Sequence, residues 1–91
     1  MQVKFFAYIR DYTGCKSIDF PYCKTIKDLT NSLCEKYGDK LRNKMLSHDG
    51  SKLGEEIIIL VNGKNVVHLA GINTKLISTD VISIFPVVAG G

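Results

Sequence analysis

Five consecutive apolar residues, Ile57 to Val61, run straight into Asn62-Gly63, and this junction restricts what the chain can fold into. The run is too short for a helix and is bounded by turn signals, so it reads as a central strand buried on both faces. Asparagine and glycine both tolerate positive φ, as a tight hairpin turn requires, and Asn65 to Leu69 is expected to return as a short strand. Asp80 to Phe85 is apolar at nearly every position and reads as a second buried strand. Pro86 is expected to end it, because proline has no N–H to give to a ladder. Between these strands, Ala70 to Thr79 reads as a loop with one tight helical turn.

The N-terminal half supplies a hairpin and a helix. Val3 to Ile9 is rich in aromatic and β-branched residues and reads as a strand. Arg10 to Lys16, with Thr13-Gly14, reads as a turn. Ser17 to Tyr22 alternates, with Ile18, Phe20 and Tyr22 on one face, and Pro21 marks a strand end or edge. Thr25 is the expected N-cap of a helix, with Asp28 in the reaching-back position. Ile26, Leu29, Leu33, Cys34 and Tyr37 form its apolar stripe, and Gly38 is the expected stop. Leu41, Met45 and Leu46 suggest a short second helix, and Ser47 to Glu56 a surface loop. The order β-β-α-β-β-β predicts an α+β fold, a mixed sheet of about five strands packed on one main helix.

With 91 residues the chain is expected to be a single domain, 1–91, with a flexible C-terminal tail at 87–91. At this size roughly 64% of the unfolded chain's surface is buried on folding, enough for a small core without metal or disulfide. The net charge of +3 is thinly spread. Lys40, Arg42 and Lys44 cluster beside Asp39 and read as a solvated helix face rather than a nucleic-acid surface, able to help dock an acidic partner. Cys15, Cys23 and Cys34 lack zinc or iron–sulfur spacing, and an odd set of scattered thiols suits a reducing cytoplasm. Cys34 is expected in the core, and Cys15 in a turn with no histidine near it in sequence. His68 reads as a packed or edge histidine. Glu55 and Glu56 point to opposite faces of an extended chain and cannot share a site. Gly50-Ser51-Lys52 lacks phosphate-loop spacing. No secretory leader is recognisable, and no apolar run approaches the ~20 residues of a membrane span. A cytoplasmic protein without nucleic-acid or membrane partners is expected.

The chain closes on Ala89-Gly90-Gly91. With glycine near 7% of residues, such a pair would end roughly 0.5% of chains by chance. Without Cβ atoms the segment is narrow enough to thread a tight channel. Two stretches around it carry a resemblance. One is Val3-Lys4-Phe5-Phe6-Ala7-Tyr8-Ile9-Arg10-Asp11-Tyr12-Thr13-Gly14. The other comprises Leu69-x-Gly71, Thr74-x-Leu76, Asp80-Val81 and Ile84-Phe85-Pro86-Val87-Val88-Ala89-Gly90-Gly91, joined by the hairpin Val61-Asn62-Gly63-Lys64. In these residues the chain resembles the ubiquitin-like sulfur-carrier family, MoaD/ThiS, with the molybdopterin synthase small subunit as the nearest branch. It departs from that branch at Val87, where a second proline is usual, at Ser78-Thr79, where Asp-Gly is usual, and in a longer middle segment around Lys40 to Glu56.

The resemblance implies a β-grasp fold and a function. An E1-like adenylyltransferase would use ATP to adenylate the carboxyl of Gly91, and a sulfur donor, a sulfurtransferase, would displace AMP to leave a thiocarboxylate. In the molybdopterin branch the tail then enters the synthase large subunit and passes sulfur to a pterin precursor. Gly91 would be the reacting residue. Gly90, Ala89, Val88 and Val87 would line the partner's channel, and Pro86 would fix where the tail begins. Phe85, Phe6 and Ile84 are candidates for a docking face, or else core. The chain would carry no cofactor or metal and no catalytic machinery of its own. The same ending serves sulfur carriers for cysteine, thiamine or tRNA thiolation, and modifiers conjugated to lysines through Gly91.

Overall fold

Strand β5 (Val81–Pro86) is the axis of the molecule. In the computed structural model, which describes residues 1–87, it pairs parallel with β1 (Gln2–Phe5) and antiparallel with β3 (Ile57–Val61). β2 (Ser17–Asp19) flanks β1 and β4 (Lys64–Asn65) flanks β3, giving the order β2-β1-β5-β3-β4. Register explains the core. Ile82 lies opposite Val3 and Val61, and Ile84 opposite Phe5 and Ile59, so these six residues share one face. Alternation along each strand turns their neighbours to the other face.

Two helices cover the first face. α2 (Ile26–Tyr37) starts at Thr25, whose hydroxyl oxygen accepts the Asp28 N–H at 3.2 Å, and stops at Gly38, whose N–H donates to the Cys34 carbonyl. Such a cap contributes about 1 kcal/mol. Ile26, Leu29 and Leu33 of α2, with Leu41 and Met45 of α3 (Asp39–Met45), are completely buried. Each contributes roughly 1.5–3 kcal/mol against exposure. Cys34 is buried as expected, and burial pushes its thiol pKa up. Asn62 and Gly63 take φ of 51° and 85°, the paired positive values of a tight hairpin. The expected tight turn in the later loop forms at Gly71–Asn73.

Several expectations change. The first strand ends at Phe5 instead of Ile9, because Ala7 takes φ 51° and reverses the chain. Ile9–Thr13 then winds into a short helix, α1, that buries Ile9, where the sequence suggested a turn. β2 stops at Asp19 and Tyr22 is exposed, its hydroxyl donating to the Leu76 carbonyl. The return strand keeps two residues. The side-chain oxygen of Asn65 accepts the Val67 N–H and diverts Val66–His68 into a tight turn that leaves Val67, His68 and Leu69 exposed. The central run is not buried on both faces: Ile57, Ile59 and Val61 are buried, Ile58 and Leu60 half-buried, because the helices lie on one side. Among the described residues, no helix is long and apolar enough to cross a membrane.

Candidate functional site

The uncovered face of β5 presents Val81, Ser83 and Phe85, all half-buried. The Phe85 ring stacks on Phe6, with centroids 4.2 Å apart and planes within 9°. Phe6 reaches this position because its N–H still donates to Ile84 while Ala7 turns the chain away immediately after it. Alanine pays for that left-handed φ, a conformation costing roughly 1–2 kcal/mol for an L-residue. Arg10 returns across the junction: its Nε donates to the Phe5 carbonyl at 2.9 Å, and its guanidinium lies 5.8 Å from the Phe6 ring centre. Ile58 faces Phe85 across the ladder, while Leu60 and Lys4 flank Ser83. The result is an apolar platform of Phe6, Phe85, Ile58 and Leu60 with Lys4 and Arg10 at its rim.

Of the three docking candidates, Phe6 and Phe85 are brought together. Ile84 is not part of the platform; it points to the helices and is completely buried, as its position between Ser83 and Phe85 requires. Pro86 is the last residue of β5, buried and paired with Ile57. The ladder continues one bond further, the Val87 N–H donating to the Glu56 carbonyl at 2.8 Å, and the Val87 side chain is exposed. Val88, Ala89, Gly90 and Gly91, the last of them the residue expected to react, lie outside the described residues.

Three features around the site escape a reading of the sequence. Lys44 donates to Glu56 Oε2 at 2.6 Å and lies 5.7 Å from the Tyr8 ring centre. The hydrogen bond to Lys44 lowers the Glu56 pKa, and the same bond raises that of Lys44. Asp80 is buried, and its oxygens accept from Asn62 Nδ2 and the Ile77 N–H, both at 2.8 Å. Asn62 in turn accepts the Val81 N–H at 2.9 Å, so the hairpin turn and the start of β5 are tied together. Asp49 accepts from the Ser51 N–H and from the Ser51 and Ser47 hydroxyls, which brings its carboxyl down to about 2 and holds the loop before β3. A hint of the second feature was available: Asp80 stands where a buried strand starts.

Among the described residues, no cluster of three or more His, Cys, Asp or Glu side chains could hold a metal. His48 and His68 are exposed. Cys15 is half-buried and its Sγ lies 4.0 Å from the Tyr37 hydroxyl, a contact that offers no base. The feature of the described residues that lies next to the C-terminal segment is the apolar platform on β5.

Comparison with known proteins agrees with this layout. The sequence model of the ThiS family matches residues 3–91. Small archaeal modifier protein 3 of Haloferax volcanii is 35% identical over 99 residues, covering 100% of this chain and 98% of that protein. A putative sulfur carrier protein of Archaeoglobus fulgidus is 42% identical over 67 residues, 74% of each chain. The solution structure of small archaeal modifier protein 1 from Methanosarcina acetivorans superposes with a TM-score of 0.83 at 34% identity, covering 99% of this chain and 94% of that one. A mixed five-stranded sheet embracing a helix, the stacked pair at the root of a Gly-Gly tail and these likenesses lead to one conclusion: the chain belongs to the ThiS family of ubiquitin-like sulfur carriers and has its β-grasp fold.

Proposed function

We propose that this protein carries sulfur on the carboxyl of Gly91. The carboxylate attacks the α-phosphate of ATP in an E1-like adenylyltransferase, forming the acyl-adenylate and releasing pyrophosphate. Sulfide from a sulfur donor then displaces AMP, leaving the thiocarboxylate and a proton. The observation that carries this reading is the placement of the Phe6–Phe85 platform on the strand that leads into the tail. Four extended residues beyond Val87 span at most about 14 Å. One partner can therefore grip the platform and receive Gly91 in the same encounter. Aromatic residues at the centre of an exposed apolar patch are where binding energy concentrates. Gly90 and Gly91 keep the approach narrow, and Ala89 adds a single methyl. ATP belongs to the partner.

The opening segment Val3 to Gly14, which carries Phe6, supports the molybdopterin synthase large subunit as the receiver of the sulfur. A second reading, conjugation of Gly91 to lysines of other proteins, is supported by the 35% identity to a protein named as a modifier. Both pass through the same adenylate. The test is the intact mass of the chain after incubation with its host's E1-like enzyme, ATP and sulfide, beside a Gly91-deleted control. The expected result is the exchange of one oxygen for sulfur, with Gly91 present and not without it. No gain under conditions that thiolate another family member sinks the proposal. Transfer of the sulfur to a pterin precursor in the presence of the large subunit assigns the molybdopterin branch, and higher-mass conjugates in cells assign the modifier.

A further inference from the structure

Glu56 does two things at the last described rung of the sheet. Its backbone carbonyl accepts the Val87 N–H, and its side chain pairs with Lys44 of α3 at 2.6 Å. Lys44 is itself fixed from two sides. Its ammonium lies over the Tyr8 ring, which packs edge-on against Tyr12 of α1. Its backbone is pressed by Gly54: a Cβ at that position would collide with the Lys44 carbonyl, and the Gly54 N–H donates to the Met45 carbonyl at 2.9 Å. Gly54 and the Tyr8–Tyr12 pair thus converge on Lys44, the partner of the residue that holds Val87, and all three lie outside the Phe6–Phe85 stack. An isolated exposed pair of this kind contributes little to global stability. A pair anchored on one side by a close backbone contact and on the other by an aromatic ring has a defined direction instead.

We infer that the Lys44–Glu56 pair is a positioning element that holds Val87 on the last described rung of the sheet, and so fixes the point from which the tail meets the activating enzyme. The inference rests on the carrier function proposed above for its consequence, and on the Val87–Glu56 bond for its geometry. Lys44 and Glu56 act through Val87 and need not touch the enzyme.

Three variants test it: Lys44→Met, Glu56→Gln, and the exchange Lys44→Glu with Glu56→Lys. Two quantities are read in each, hydrogen exchange at the Val87 amide and the KM and kcat of adenylation. Each single substitution is expected to speed Val87 exchange roughly two- to five-fold, the scale of an exposed ion pair. Each is expected to raise KM by a similar factor with kcat within about twofold, the pattern of lost positioning before chemistry. The exchanged pair re-forms the ion pair but takes the cation off the Tyr8 ring, so it is expected to restore both in part. Unchanged Val87 exchange in the single variants overturns the inference. A KM defect in the exchanged pair larger than that of either single variant also overturns it, because the charges would then be meeting the enzyme directly. If the unaltered chain is not adenylated at all, the carrier reading falls by itself, and Val87 exchange still decides whether the pair holds the end of the sheet.

Discussion

The two faces of the sheet are built from the same strands and almost the same residue types, yet they have different fates. On one, Val3, Phe5, Ile59, Ile82 and Ile84 lie under α2 and α3 with at most 1% of their surface exposed. On the other, Phe6, Phe85, Ile58 and Leu60 remain half-exposed. No helix of the described chain covers them, and the Phe6–Phe85 stack shelters them in part. Hydrophobicity alone does not distinguish the faces; what does is whether the cover is supplied by the chain. On the carrier function proposed above, the second face is the one left for a partner to cover.

The largest effect should come from the covered face. Ile84→Ala is expected to cost about 2–5 kcal/mol, since the surrounding side chains can close the cavity only in part. Urea denaturation measures it. Phe85→Ala, one residue on, should cost less, about 0.5–1.5 kcal/mol through its stacked pair together with the partial burial of a half-covered ring. Its effect should appear in binding, where affinity for the E1-like enzyme is expected to fall by about 2 kcal/mol, roughly thirty-fold, as for an interface anchor. Titration calorimetry with the two variants gives the comparison. An Ile84→Ala chain of normal stability, or a Phe85→Ala chain of normal affinity, would break the division between the faces.

Much of this was legible in advance where one residue fixes one geometry. Thr25 and Gly38 bracket α2, Asn62-Gly63 makes its hairpin, and Leu41 and Met45 anchor a second helix. Position along the chain failed where tertiary placement decides. An apolar run such as Ile57 to Val61 looks the same whether one face or both are covered. Ser83 marks the parity of β5 and separates Phe85 from the buried Ile84, whereas the run Ile57 to Val61 is apolar throughout and carries no such mark. Ala7 was invisible because alanine gives no warning of a positive φ, and Val3 to Ile9 therefore looked like one strand. The Lys44–Glu56 pair joins residues twelve apart, and only the fold brings them together. The candidate site was legible as a motif; its platform became legible with register.

A middle-sized effect belongs to the polar clamp at the far end of β5 from the tail. Asn62→Gly keeps the positive φ that the turn needs and removes the side chain that bonds Asp80 and Val81. Leaving the buried Asp80 oxygen and the Val81 N–H short of a partner should cost about 1–3 kcal/mol. Combining it with Asp80→Ala should cost less than the sum of the two, since each already breaks the same bond. Affinity for the activating enzyme should be unchanged. A loss of affinity as large as that of Phe85→Ala would mean that the platform depends on the far end of the sheet, and that the two faces are not separable.

The smallest effect should come from the loop before β3, which belongs to neither face. The hydrogen bonds from Ser51 and Ser47 hold the Asp49 carboxyl at about 2 against an ordinary 3.8. A depressed carboxyl stabilises the fold above its unfolded pKa and loses that contribution as pH falls through its folded one. The contribution should therefore be complete near neutrality and disappear between about pH 4 and pH 2, the interval set by the two values. Asp49→Asn removes the charge while keeping an oxygen that can accept. The Tm difference between the unaltered chain and this variant should be small and positive at pH 6 and vanish towards pH 2. Because Asp49 is at the surface, added salt should also weaken it. A difference that does not change with pH would show that the loop is held by its hydrogen bonds without regard to charge. A large difference, approaching that of Asn62→Gly, would show that the loop supports the end of β3 where Glu56 holds Val87, and so that the tail's root depends on more than the sheet.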